Sequence, residues 1–227
     1  MTNYALKIKT DFTEKDIIKN IQIINCDEAK EYEFTESNFG NNFQNYFLNN
    51  SDQNNLQNKI QKKLQENFLS HRIFNLNVMG ANLKFIGRYQ AENNLCDISC
   101  VVNHNANHTK SNIDIKGVAN DGGKIISRSD IVVKKDIKDV EGNENLKFIF
   151  VVNKETKNLD QENKKDNTNF NLAEIDAIPS LNINNNQVSI NHSLSISKIK
   201  EEDIWYSALH GSSPEKAKQD FIQSFLL

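Results

Sequence analysis

Among the three cysteines and five histidines, four stand in strand patterns that could let them hold a transition metal or a reactive sulfur: Cys96, Cys100, His104 and His192. Thiolate and imidazole both ligate iron and zinc, and thiolate is also the form in which cysteine acts as a nucleophile. The first three share a parity with Ile98 and Val102 between them, which puts all five on one face of a strand. On a straight strand, residues four apart lie roughly 13 Å from each other, several times a metal–ligand radius. Cys96, Cys100 and His104 therefore cannot share an ion through this spacing. Each could still meet a residue on an adjacent strand about 4.8 Å away, and the competing reading is a set of buried structural thiols.

His192 lies in a stricter pattern. Val188, Ile190, Leu194 and Ile196 alternate with Ser189, Asn191, Ser193 and Ser195, so the segment is a strand with one buried face. His192 occupies the apolar register and should point toward the interior or toward whatever covers that face. It is then either a core histidine satisfied by a neighbouring amide or carbonyl, or a ligand.

These residues must be positioned by strands, and alternation recurs along the chain. It runs through Leu83, Phe85 and Tyr89; through Ile113 and Ile115; and through Leu146, Phe148, Phe150 and Val152. Polar turns rich in Asn, Asp and Gly separate the strands, such as Ala119-Asn120-Asp121-Gly122-Gly123. Short strands with such punctuation build sandwiches, barrels or β-solenoids, and periodicity alone does not choose among them. Abundant Asn leans toward a solenoid, where stacked amides form ladders between successive coils.

Tyr4 to Ile8 and Ile21 to Ile24 read as short strands. From Asn54 to Leu69, apolar positions at Leu56, Ile60, Leu64 and Phe68 recur every four residues, the pattern of an amphipathic helix. Asp139 to Glu144 reads as an acidic turn, and the polar run Lys154 to Thr168 as an exposed loop. Two helices close the chain. Glu201 to Leu209 carries Ile204, Trp205 and Leu209 and stops at Gly211. Ser213 then caps a helix that has Pro214 at its first position and Ala217, Phe221, Ile222 and Phe225 on one face. That face either packs on the end of the β structure or docks a partner. The chain divides into an N-terminal region (1–71) with one amphipathic helix, a β core (72–199) and a helical tail (200–227).

Composition narrows the function classes. With 27 basic and 30 acidic residues the net charge is -3, which gives no electrostatic case for nucleic acid or membrane. Arginine appears only as Arg72, Arg88 and Arg128, a bias of base composition rather than function. Met1 to Asp16 has no apolar run long enough for a signal peptide or membrane span, which points to the cytoplasm. Three cysteines, an odd number, suit reduced thiols there. No Gly-rich phosphate loop, nucleophile elbow or HExxH pattern occurs, and no carboxylates stand as an acid/base pair. A non-enzymatic role is expected.

The run Ala177-Ile178-Pro179-Ser180-Leu181-Asn182-Ile183, then Asn186-Gln187-Val188 and Asn191-His192-Ser193, resembles the end of the β-helix in the SufB/SufD family of iron-sulfur assembly proteins. The likeness continues through Ile199, Glu202, Ile204-Trp205-Tyr206, Gly211, Ala217 and Phe225. A weaker likeness covers His104, Ser111, Ile115-Lys116-Gly117 and Gly122 to Ile131. The chain looks like a shortened, divergent member. It is more similar to the D-type subunit, because the B-type has cysteine where this chain has Ile183 and glutamate where it has Ser193. Asn182, Ser193 and His210 depart from the family pattern.

The resemblance implies a right-handed parallel β-helix with a C-terminal helical cap. It further implies a non-catalytic scaffold subunit that pairs with a B-type β-helix subunit and carries an ATP-binding-cassette ATPase. A transient iron-sulfur cluster would form at the subunit interface, with no cofactor tightly held. His192 would be the iron ligand, with Cys96, Cys100 and His104 as lesser contributors. Ile204, Trp205, Tyr206, Gly211, Phe221 and Phe225 would form the ATPase-docking surface. The alternatives are an interaction protein of the same fold without cluster chemistry, and a β-solenoid carbohydrate-active enzyme.

Overall fold

A computed structural model describes residues 21–38, 67–151, 172–199, 201–209 and 211–227. The described residues form ten strands followed by two helices. The strands are β1 (Ile21–Cys26), β2 (Glu31–Ser37), β3 (Phe68–Leu76), β4 (Asn82–Ala91), β5 (Leu95–His104), β6 (Lys110–Asn120), β7 (Lys124–Val133), β8 (Val140–Val151), β9 (Glu174–Ile183) and β10 (Val188–Lys198). The helices are α1 (Glu201–Leu209) and α2 (Pro214–Leu226).

Successive strands alternate between two sheets. Odd-numbered strands form one in the order β1-β3-β5-β7-β9, and even-numbered strands form the other in the order β10-β8-β6-β4-β2. All of the pairings are parallel. The inward residues of both sheets meet in a single core that includes Phe74, Leu83, Phe85, Tyr89, Ile113, Ile115, Ile131, Leu146 and Phe148. The protein is thus mainly β, with two five-stranded parallel sheets sharing one interior.

Period-two alternation explains this layout. In β5, Cys96, Ile98, Cys100, Val102 and His104 are all buried, on the parity read from sequence. Parallel register stacks like positions of each sheet in columns. On the outward face Asn103 donates to Asn75 at 2.8 Å, and Asn75 donates to Asn25 at 2.9 Å. Two residues further on, in the turns, Asn105 donates to Asn77 at 2.9 Å and Asn77 to Asp27 at 2.7 Å. These are the amide ladders that the Asn content suggested. Tight corners use left-handed backbone: Gly122 (φ 72°) and Asn93 (φ 55°) sit in neighbouring turns, and an added Cβ at Gly122 would meet Asn93.

The structure revises several local expectations. Val140 to Glu144 is not a turn but the start of β8, and only Asp139 before it has the positive φ, at 55°. Phe68 and Leu69 open β3 rather than end a helix; Phe68 faces the core, with its ring 5.7 Å from that of Tyr89. The rest of the helix read over Asn54 to Leu69 lies outside the described residues, as do the strand read at Tyr4 to Ile8 and the loop Lys154 to Thr168. Among the described residues the first strand is β1 at Ile21, where the sequence reads a short strand within the segment 1–71.

The helices do not sit over an end of the sheets. They pack on the outward face of the even-stranded sheet, where Val118, Ile149, Val151 and Ile199 meet Ile222 and Leu226, with Ile204 and Phe225 at the margin. Ser213 caps α2 by accepting a hydrogen bond from the Lys216 amide at 3.2 Å, with Pro214 in the first turn. Gly211, at φ 92°, takes the left-handed position after α1.

Candidate functional site

Among the described residues β10 is the last strand of the even sheet and pairs only with β8, so none of them covers its other edge. Its inward column contains Val188, Ile190, His192, Leu194 and Ile196, as the alternation required. Val188 and Ile190 are half-buried against the core, while Leu194 and Ile196 are 40% and 42% exposed. His192 is also exposed. β9 forms the matching edge of the other sheet and contributes half-buried Ala177, Leu181 and Ile183 to the core margin. The outward face fixes the register beside His192. Ser193 donates to Asn145 at 3.0 Å, Asn145 donates to Asp114 at 2.8 Å, and Asp114 is paired with Arg88 at 2.5 Å.

Directly across from His192, on β8, stands Glu144. Both belong to one inward column of the even sheet, formed by Phe34, Phe85, Ile113, Glu144 and His192. Glu144 is fully buried, and neither carboxylate oxygen has a hydrogen-bond partner. Burial raises its affinity for a proton; the Ser129 hydroxyl and the His192 charge oppose this, and Asp130 adds to it. The sequence reading missed Glu144 by assigning it to a turn. Its parity with Val140, Gly142, Leu146 and Phe148 was the available signal.

The other donor residues are separated from His192. His104 is buried, and both ring nitrogens are engaged: Nδ1 lies 2.7 Å from Thr109 Oγ1, and Nε2 lies 3.0 Å from Ser111 Oγ. Burial lowers its pKa to about 4, so the ring is neutral at pH 7. Cys96 and Cys100 are free and buried, and burial pushes both thiols far above the ordinary range, which leaves them protonated and unreactive. Their inward neighbours on β3 and β7 are Phe68 and Ile125 for Cys96, and Arg72 and Ser129 for Cys100. Among the described residues no group of three or more His, Cys, Asp or Glu side chains could hold a metal ion.

The tail presents a second surface. Trp205, Tyr206 and Leu209 are 66%, 65% and 61% exposed, and Phe221 is 38% exposed. An open groove of about 410 Å³ runs past Tyr206, Ser212, Ala217, Asp220 and Phe221. Ile204 and Phe225 instead help seat the helices on the sheet, and Lys116 lies over the Phe225 ring at 5.8 Å. No described helix is long and apolar enough to cross a membrane.

Comparison with known proteins agrees with this layout. The family model described as "SUF system FeS cluster assembly, SufBD core domain" matches residues 35–156 and 149–225. An iron-sulfur cluster assembly SufBD family protein of Staphylococcus aureus (strain USA300) is 25% identical over 145 residues, which is 64% of this chain and 26% of the relative. A counterpart from Staphylococcus saprophyticus is 24% identical over the same shares. The chain therefore spans about a quarter of the length of these relatives, at 26%. With the family model matched from β2 to α2, the chain belongs to the SufBD core family.

Proposed function

We propose that this protein is a non-catalytic scaffold subunit in iron-sulfur cluster assembly, of the D type. The alternating parallel sheets are then the coils of a right-handed parallel β-helix. The β9 and β10 edges are the surface on which a B-type β-helix subunit pairs. The helical tail, through Trp205, Tyr206 and Phe221, docks an ATP-binding-cassette ATPase in the cytoplasm. A transient iron-sulfur cluster is the cargo at the subunit interface, with His192 as its iron-side ligand.

One observation carries the reading. His192 stands in the inward register of an edge strand, exposed, beside half-exposed Leu194 and Ile196. A histidine in that register at a free sheet edge can be covered, and its ligation completed, by a chain that extends the sheet. The D-type assignment rests on Ile183, an aliphatic residue where the B-type has its thiolate ligand. Affinity co-purification of the tagged full chain from its own cells, followed by mass spectrometry, tests the reading. Recovery of an ATP-binding-cassette ATPase together with a larger β-helical subunit supports it. Recovery of neither, with the bait folded and abundant, overturns it.

A further inference from the structure

We propose that Glu144 and His192 form a two-donor half-site for a divalent first-row transition ion, ferrous iron in the cell, completed by ligands from the chain that pairs on β10. The proposal deepens the assembly reading and rests on its assignment of the β10 edge. Its chemistry, however, is testable on this chain alone.

The geometry is that of neighbours, not of residues four apart on one strand. Glu144 and His192 are register partners on adjacent parallel strands, on the same face. Their backbones are therefore about 4.8 Å apart, and two side chains at that spacing can bring an oxygen and a nitrogen to the ~3 Å separation that a shared ion with bonds near ~2.1 Å demands. The donor set of one carboxylate and one imidazole suits iron in its ferrous state.

Among the described residues no lysine or arginine pairs with Glu144. A fully buried carboxylate is normally paired or bonded, because desolvation without compensation is costly. Arg72, Arg88 and Arg128 are each paired with another acid, Glu36, Asp114 and Asp97 respectively. Among the described residues neither Glu144 oxygen has a hydrogen bond of sound geometry; the Ser129 hydroxyl, inward-facing from the opposite sheet, lies near enough to favour the carboxylate but supplies no counter-charge. The flanking inward residues Gly142, Leu146, Ile190 and Leu194 supply no competing donor. A cation at His192 would give this carboxylate its counter-charge, and the free edge leaves the remaining coordination positions to a partner.

The test uses the full chain labelled with ¹³C at the histidine ring, titrated with Co²⁺ as an air-stable paramagnetic probe, and read from the five histidine signals. His71 is the internal control, since it is buried on β3, in the other sheet and separated from that sheet's β9 edge by β5 and β7. The expected result is selective broadening of one signal, absent in His192→Ala, with half-broadening moved to at least tenfold higher Co²⁺ in Glu144→Gln and no change at His71. Glu144→Asp, which keeps the charge but withdraws it by one methylene, should weaken binding to an intermediate degree and serves if the Gln variant fails to fold. An unchanged Co²⁺ dependence in Glu144→Gln overturns the half-site while leaving His192 a lone ligand. No selective response at millimolar Co²⁺ overturns it as well. Either result is independent of co-purification, so loss of the half-site and loss of the assembly role are distinguishable.

Discussion

Gly117 and Phe148 are register partners on β6 and β8, and the phenyl ring occupies the space that a side chain on Gly117 would need. A Cβ added there would lie 2.6 Å from Phe148 Cδ1 and 3.0 Å from Ile125 Cδ1. Phe148 is fully buried, so the ring cannot swing into solvent to make room. Gly117→Ala is expected to destabilise the fold by about 1–3 kcal/mol through overpacking. Chemical denaturation of Gly117→Ala, Phe148→Leu and the double variant checks this. The double variant should be more stable than the sum of the single losses allows, whereas simple additivity would mean that the contact is not the cause.

His104 supplies a pH dependence. Its pKa is lowered from 6.5 to about 4 by burial, while the ring nitrogens lie against Thr109 and Ser111. A folded value below the unfolded one means that the unfolded chain takes up the proton first as pH falls. Stability from this group is therefore present above pH 6.5 and is lost progressively down to about pH 4. Each tenfold difference in proton affinity between the folded and unfolded chain is worth ~1.4 kcal/mol, which bounds the loss at roughly 3 kcal/mol. Urea unfolding of the wild type and of His104→Gln at several pH values between neutral and pH ~5 reads the effect. The variant should start less stable and lose less on acidification. Equal slopes would show that the ring titrates normally and is not held neutral.

The difference between what was legible and what was not has physical causes. The parity of Cys96 to His104 predicted their burial, because alternation alone fixes which face a side chain takes. His192 was readable as an inward residue, but its exposure was not, since exposure depends on β10 being the last strand of its sheet among the described residues. Glu144 was hidden because Gly142 and Glu144 replace apolar residues in the inward register, so the start of β8 resembled a turn. The seat of the helices was partly visible. Phe148, Ile149, Phe150 and Val151 form an apolar run, which signals a strand buried on both faces. Val118 and Ile149 on the outward parity meet Ile222 and Leu226 there.

The tail separates stability from recognition. Trp205 and Tyr206 are about two-thirds exposed, at 66% and 65%, whereas Ile222 is 7% exposed and packs on the sheet. Replacing both aromatics with Ser should change stability by less than about 1 kcal/mol. Under the scaffold reading, co-purification of an ATPase should nevertheless be lost, since exposed aromatics are the usual anchors of an interface. Ile222→Asp should instead unseat the helices and cost several kcal/mol of local stability, about 2–4. If the Trp205/Tyr206 variant still recovers the ATPase at wild-type yield, the docking surface lies elsewhere.

The β10 edge allows pairing to be separated from chemistry. Leu194 is 40% exposed and two residues from His192 in the same strand face, so Leu194→Asp removes little buried area from this chain but places a charge where a partner strand would seal. His192→Ala leaves the apolar edge intact and removes only the imidazole. If β10 is an assembly edge, Leu194→Asp should abolish recovery of the larger β-helical subunit while the isolated chain unfolds at its usual denaturant concentration. His192→Ala should retain that subunit yet fail to support maturation of a reporter iron-sulfur enzyme in cells lacking the native copy. The two variants thus part company under the scaffold reading. A His192→Ala strain that matures iron-sulfur enzymes normally while Leu194→Asp still breaks pairing would leave an interaction protein that has kept the edge and given up the ligand. Retained pairing in Leu194→Asp would instead move the interface away from β10 altogether.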